Sequence, residues 1–574
     1  MPTTTSRAVE RRRAAPSIRP RAPLMIRPMA STATVSAEAM PVRPRASIAA
    51  SLFQPGKAGP ATLQADFDCC QLDGSALRSA ADFERALAAG RLADITGAFA
   101  FAGLDGEGEL RLARDAVGER TLFYAEMPRG VAYAGSIRDL IASGLVEPRL
   151  NLRAVAKYIT YAYLPGRETL IQGVHEVLPG EVVRANVAGL DRRNYWQLPG
   201  TSVSDAPEAE LKDRLRRLLE AATRRLLPPS GVRVGAFLSG GLDSSLAVAL
   251  AASLHDAPLH TFSVSFGEGH ANELPFSSLV ARHCSTVHRI VELSPATIMA
   301  NLDATIALLN DPIGDPLTVP NALLFREAAG EVGVVLNGEG GDPCFGGPKN
   351  LPMVLCEIYG GSPGADTREA SYLRAHLKCY DDLSEMLSPR MLDALAAAPL
   401  EDELAPMLRD RSIADYVARL QAMNIRLKGA HHILPKVDAL SRPAGILPRA
   451  PLFDRDVVEF SMQVPARLKL KGTVEKHILK EAVRDLLPPE IIARPKSGML
   501  VPVEAWCRGP LLPAARERLL DGLNRYDLFR RAWLERLLAG KLGGLRPRHG
   551  AKIWLLMTLQ SWLSATLERG RLAA

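Results

Sequence analysis

The stretch Val232-Arg-Val-Gly-Ala-Phe-Leu-Ser-Gly-Gly-Leu-Asp-Ser-Ser245 constrains this chain more than any other, because it reads as a buried strand that turns through glycines straight into a helix. Five of the seven residues from Val232 to Leu238 are apolar, as a strand covered on both faces requires. Ser239-Gly240-Gly241 lets backbone N–H groups approach an anion closely, and Asp243-Ser244-Ser245 opens the helix that continues from Leu246 to Ala252. A phosphate would sit on that helix N-terminus. No Lys-Ser or Lys-Thr follows the glycines, so this is not the Walker loop. A carboxylate inside a phosphate loop needs a cation beside it, which makes Asp243 a candidate Mg²⁺ ligand. The alternative is a glycine-rich turn without a ligand.

Val334-Val-Leu-Asn-Gly-Glu-Gly-Gly-Asp-Pro-Cys-Phe-Gly-Gly347 repeats the pattern, with a short apolar strand followed by glycines interleaved with Glu339 and Asp342. In a parallel sheet both loops lie at the C-terminal edge, where ligands bind. Asp342 could then share the cation with Asp243. Strand signals at Leu259–Phe266, Thr286–Glu292 and Val332–Leu336, with helical stretches between them, complete a βαβ pattern.

The pair SGGLDSS and GEGGD, in this order and at this separation, resembles the synthetase domain of asparagine synthetase and its relatives, which adenylate a carboxylate with MgATP and then let an amine attack it. Asn310-Asp-Pro-Ile-Gly-Asp-Pro-Leu-Thr-Val-Pro-Asn321, Glu475–Pro488, Ala493–Pro502 and Trp506–Pro510 resemble further segments of that family. The resemblance implies ATP and Mg²⁺ as cofactors and an ATP-pyrophosphatase type of parallel α/β sheet. It places Asp243 and Asp342 on the metal and pyrophosphate, and Ser239, Gly240, Gly241 and Ser244 in the phosphate loop. Leu238, Val264 and Gly338 match positions around the adenosine. Glu339 matches the acid near the reacting carboxylate. Lys476 matches the lysine that steadies charge on the pyrophosphate and the tetrahedral intermediate, a step in which negative charge grows in a water-poor site. Lys496, between Pro495 and Ser497, is a second candidate lysine.

The N-terminal third, from Leu92 to Ile141, resembles the second half of a class II glutamine amidotransferase domain, a layered Ntn-type α+β fold. That domain uses an N-terminal cysteine whose own amine is the base. Here residue 2 is Pro2, the first cysteines are Cys69 and Cys70, and the glutamine-binding RGPD and NGE patterns are not found. The domain therefore reads as degenerate, and the internal cysteine pair as packing. With no internal ammonia source evident, the attacking amine is expected on the substrate itself.

Two branches of the superfamily work that way: β-lactam-type synthetases and lasso-peptide cyclases. The β-lactam enzymes carry Tyr at the second-loop acid, whereas this chain keeps Glu339. The segment Asp438–Asp454 aligns without gaps to the family's DRMSMAHSLEVRxPFLD, keeping Asp438, Ser441, Arg449, Pro451 and Asp454, but the usual Glu falls at Leu447 and Pro443 and Pro448 replace other residues. Free aspartate is thereby disfavoured as substrate. Gly346–Met353 and Arg494–Met499 are most similar to lasso-peptide cyclases, which join a peptide's N-terminal amine to an Asp or Glu side chain. This implies a precursor peptide as substrate and a leader-peptide protease or leader-binding protein as partner. The alternatives are an asparagine-synthetase-like enzyme using free ammonia or another small amine, and a non-catalytic scaffold.

Composition adds limits. Residues 1–50 hold nine Arg against two Glu with no Lys or Asp, a surplus equal to the whole net charge of +7. The basic balance thus belongs to a Pro-, Ala- and Arg-rich segment that reads as a disordered tail or a start assigned too early. It lacks the apolar core of a secretory signal. Nothing points to a basic nucleic-acid face. The seven scattered cysteines are no disulfide framework, and with ATP chemistry they suggest a reducing cytoplasm. No apolar run reaches the roughly 18 residues of a membrane span. Ile553–Leu563 reads as a core helix, and adjacent His431-His432 as ordinary structure. The expected organisation is a tail over 1–51, a degenerate amidotransferase-like domain over 52–200, and a synthetase domain over 205–574 that opens with a charged helix from Pro207 to Leu227 and becomes helical after Pro352.

Overall fold

A computed structural model describes residues 31–33, 47–55, 63–105, 107–200, 203–229, 231–270, 272–346, 367–413, 415–495, 499–544 and 547–568. Lys496, Pro2 and most of Gly346–Met353 lie outside the described residues.

The strands in chain order are β1 (Ser31–Ala33), β2 (Ser51–Phe53), β3 (Gln64–Leu72), β4 (Ser75–Ala76), β5 (Thr96–Leu104), β6 (Leu110–Arg114), β7 (Phe123–Met127), β8 (Gly130–Ala134), β9 (Val174–Glu176), β10 (Glu181–Asn186) and β11 (Gly189–Asn194). The C-terminal part adds β12 (Val234–Phe237), β13 (His260–Ser265), β14 (Val287–Glu292), β15 (Val334–Leu336) and β16 (Leu447–Arg449).

The N-terminal domain stacks two antiparallel sheets, ordered β11-β10-β6-β5-β3-β4 and β2-β8-β7-β9. Alternation along each strand explains the layering. Ala100, Ala102, Leu110 and Leu112 face Tyr124, Val131 and Tyr133 between the sheets, while Phe99 and Phe101 on the opposite face of β5 pack on Phe83 of the helix Ala80–Ala88. The second sheet turns Phe123, Ala125, Ala132 and Ala134 toward the helix Leu152–Tyr161. β5 is therefore apolar on both faces, which is why its sequence runs Phe-Ala-Phe-Ala without polar breaks.

The folded domain begins earlier than the expected break at residue 51. Ile48 is 2% exposed, and β2 pairs with β8, so burial of Ile48 and Phe53 brings residues from 47 onward into the core. Ser31–Ala33, inside the expected tail, pairs in parallel with β14 as an edge strand.

The second sheet system is all parallel, ordered β1-β14-β13-β12-β15-β16. The chain winds outward from β12 through β13 to β14, then returns to place β15 on the other side of β12. That reversal opens a crevice between the loops after β12 and β15, the place where such sheets bind ligands. The expected strands coincide with β12 to β15; β16, in the segment that departs from the family pattern, completes the edge by pairing Leu447 with Val334.

After residue 367 the described chain is mostly helical, as expected. The helices Tyr416–Met423 and Leu434–Ser441 are joined by a π-helical stretch, Asn424–Ile433, and His549–Leu563 is buried along nearly its whole length. No described helix is long and apolar enough to cross a membrane.

The two domains are joined by buried charges. Arg449 makes a two-pronged bond to Asp68 at 2.8 and 2.9 Å, Arg120 reaches Asp438 at 3.1 Å, and His431 meets Glu176 at 2.7 Å. Asp438 and Arg449, retained in the segment that otherwise departs from the family, thus hold the domains together.

Candidate active site

The first loop is held by its own hydroxyls. Ser239 N–H donates to Ser244 Oγ at 3.2 Å, the two serine hydroxyls lie 2.9 Å apart, and Gly241 N–H donates to Ser239 Oγ at 3.3 Å. The helix Leu242–Leu254 begins immediately, so its first free N–H groups point at the same space. Gly240 takes φ +81°, and a Cβ there would stand 2.5 Å from Ser277 N, so no other residue fits.

The second loop packs directly on the first. A Cβ on Gly338 would come within 2.4 Å of Ser244 N. Such contact is available only to glycine, and it brings Asp342 beside Asp243. Both carboxylates converge on Lys476, whose Nζ lies 2.5 Å from Asp243 Oδ2 and 2.5 Å from Asp342 Oδ1. Lys476 is 2% exposed and adopts the left-handed conformation, φ 54°, at the start of the helix His477–Ala482. Burial alone would lower its pKa; Asp243 and Asp342 outweigh that and raise it, so the ammonium stays charged.

Glu339 sits between the glycines of the second loop, its N–H donating to Asn337 Oδ1 at 3.1 Å. Burial raises its pKa, with Asp315 and Asp342 adding to the rise and Lys436 and Lys428 opposing it. Leu238 is buried and donates its N–H to Phe262 O at 2.9 Å, and Val264 lies buried on the neighbouring β13. The structure thus brings Leu238, Ser239, Gly240, Gly241, Asp243, Ser244, Val264, Gly338, Glu339, Asp342 and Lys476 to the loops and strands bordering one crevice. Lys496 lies outside the described residues.

The same crevice has what a nucleotide phosphate and its cation demand: backbone close enough to be filled by a single Cβ, a helix N-terminus, and two acids aimed at one point where an ammonium now stands. No cluster of three or more His, Cys, Asp or Glu gathers as a metal site among the described residues. Two acids together with phosphate oxygens is how Mg²⁺ is commonly held.

The asparagine synthase family model matches residues 214–564, and a glutamine amidotransferase domain matches residues 71–196. This chain belongs to the asparagine synthase family. It is an ATP-dependent, amide-forming ligase. A putative glutamine-hydrolyzing asparagine synthetase of Mycobacterium tuberculosis is 26% identical over 83% of this chain and 77% of its own. Asparagine synthetase 1 of Bacillus subtilis is 24% identical over 80% and 75%, and the amidase chyE of Penicillium rubens 25% identical over 73% and 72%.

Two features of this asparagine synthase family member escape a sequence reading. Arg494 donates to Gly240 O at 3.0 Å, pairs with Glu273 at 2.5 Å and lies 4.0 Å from the Phe276 ring centre, so it ties the phosphate loop to the helix Leu274–His283. With Lys476 it lines a small cleft beside Gly241. Its place beside Lys496 in a matching segment was the available signal. The other feature is an acid–base group whose charges act on Glu339: Lys436 Nζ lies 2.7 Å from Asp315, and His432 Nε2 lies 3.3 Å from the same oxygen. The acids of Asn310–Asn321 hinted at it, but only folding brings His432 there. His432, read from the sequence as ordinary structure, faces Asp315 in this group.

The cysteine pair does not gather catalytic partners. Cys69 takes φ 51° at a bulge in β3, and burial with Asp68 beside it pushes its thiol up to about 12; burial pushes Cys70 well above the usual range. Both are held as thiols, which suits packing rather than nucleophilic attack.

Proposed function

We propose that the protein adenylates a carboxylate with MgATP and joins it to an amine carried on the same substrate, closing a macrolactam on a precursor peptide. The observation that carries the reading is the convergence of Asp243 and Asp342 on Lys476 beside Glu339. Asp243 and Asp342 would hold Mg²⁺ and the pyrophosphate, which the bound ion would polarise. Lys476 would hold charge on the leaving group. Ser239, Ser244 and the glycine backbone cradle the phosphates, and the raised Glu339 is suited to move a proton at the amine. When both reacting groups belong to one substrate, holding them together supplies much of the acceleration.

An amine carried on the substrate is favoured because half-buried Cys69 and buried Cys70 are both held as thiols, and because Leu447 stands where the asparagine-synthetase pattern it resembles has Glu. A small amine such as ammonia, attacking a small carboxylate, is the second reading, supported by the names of the relatives. Mass spectrometry of a candidate precursor peptide incubated with the protein, MgATP and any neighbouring leader protease separates the two. Loss of one water from the peptide with AMP release supports the macrolactam. AMP release only on addition of ammonia with a small carboxylate rejects it in favour of the second.

A further inference from the structure

Around His432, which faces Asp315, five rings gather from both domains. Tyr161 closes the helix Leu152–Tyr161, and Tyr163 follows its cap Ala162, which takes φ 69° and turns the chain there. Tyr163 stacks on His432 at 5.2 Å, and His376 packs edge-on to Tyr161 at 4.9 Å and to Tyr372 at 5.1 Å. The backbone fixes this arrangement: Gly314 N–H donates to Ala162 O at 2.8 Å, and a Cβ on Gly314 would stand 2.8 Å from Tyr158 Oη. The loop carrying Asp315 is therefore docked on the end of that helix.

Four polar atoms in this cluster are buried without a hydrogen-bond partner: Tyr161 Oη, Tyr163 Oη and both ring nitrogens of His432, of which Nε2 makes only an ion-pair contact to Asp315. Tyr161 is 3% exposed and Tyr163 2%. A single buried orphan costs stability, and four on three side chains whose rings touch mark a place built for something polar. The cluster is linked to Glu339 through charge: His432 Nε2 is 3.3 Å from Asp315, Asp315 is 2.7 Å from Lys436, and the Lys436 ammonium acts electrostatically on Glu339. Lys378 also faces Asp315, and Lys428 acts on both Lys378 and His432, so a further positive charge is poorly placed here. An uncharged primary amine fits: it can donate to one orphan and accept from another.

We propose that Tyr161, Tyr163 and His432 form the acceptor pocket for the amino group that attacks the activated carboxylate, taken up in its neutral form. The amidotransferase-like domain then supplies two walls of the synthetase site. The proposal rests on the amide-forming reading above and locates its nucleophile.

The test uses the full chain labelled at histidine ring carbons, with the His432 signal assigned by its loss in His432→Gln, and hydroxylamine as a small amine that is largely uncharged near neutral pH. The His432 signal should shift saturably with hydroxylamine, and the midpoint should rise about five- to tenfold for each hydroxyl removed in Tyr161→Phe and Tyr163→Phe. Because the lost hydroxyls are orphans, both variants should unfold at the same temperature as the parent or higher, an outcome that a merely structural role would not give. A His432 signal that ignores hydroxylamine, a midpoint unchanged in the double variant, or an equal response to tetramethylammonium would overturn the pocket. ATP–pyrophosphate exchange is measured in parallel; its absence from the parent protein would remove the proposed function while leaving the amine response to stand or fall by itself.

Discussion

A Cβ placed on Gly341 would stand 2.2 Å from Oδ1 of Asp243, so the second glycine loop presses directly on the acid of the first. The contact fixes how far apart Asp243 and Asp342 can be. It also makes Gly341 as necessary to the site as either acid.

Gly341→Ala should push Asp243 off its position. ATP–pyrophosphate exchange should fall about a hundredfold, since a displacement near 1 Å costs that much in a positioned site. The overpacking should cost about 1–3 kcal/mol in chemical unfolding. Unchanged exchange would show that the two loops need not touch.

Asp243→Ala should abolish exchange, and retained exchange would remove the metal assignment. Lys476→Met leaves two carboxylates facing each other, so exchange should drop about 10²–10³-fold. The accompanying loss of stability should be smaller than the roughly 3–5 kcal/mol of a fully buried broken pair, because Asp342 is 32% exposed. Equilibrium unfolding with and without Mg²⁺ would read this, with Mg²⁺ restoring more of the variant's stability than of the parent's.

Arg494→Gln should raise the KM for ATP about tenfold with a smaller change in kcat, since the arginine shapes the loop and leaves the reacting atoms to Lys476. Arg494→Lys should fall between, because lysine cannot both fork to Gly240 O and Glu273 and stack on Phe276. A kcat loss with unaltered KM would contradict this assignment.

His432 is held at about 4, chiefly by burial and then by Lys436 and Lys428 against the pull of Asp315. Its folded value lies below the unfolded one of about 6.5, so between those values the unfolded chain binds more protons. Stability should therefore fall as pH drops through that window, by about 3 kcal/mol at most from this group. His432→Gln should flatten the slope, as followed by urea unfolding at stepped pH; an identical slope would place the titration elsewhere.

Much of the site was readable without coordinates because it lies in short loops whose chemistry is local. Gly240 must take a positive φ, Asp243 must stand at the first turn of a helix, and Asp342 must follow the glycines, all within a few residues. The parallel sheet was readable for a related reason: strands buried on both faces, such as Val234–Phe237 and Val334–Leu336, announce themselves as apolar runs before glycine. The edge strand Leu447–Arg449 was not, because its pairing to Val334–Leu336 is a matter of distant chain, and proline at position 448 argues against a strand except at an edge.

By itself the sequence determined the two glycine loops, their acids and the apolar strands that carry them, since each depends on neighbours along the chain. Only the tertiary structure decided that Lys476 lies between Asp243 and Asp342, that Arg494 holds Gly240, and that Tyr163 of the first domain stacks on His432 of the second. Each of those contacts joins residues more than a hundred positions apart. No local pattern encodes them, because they exist only once burial of apolar surface has brought the two domains and the helical C-terminal part together.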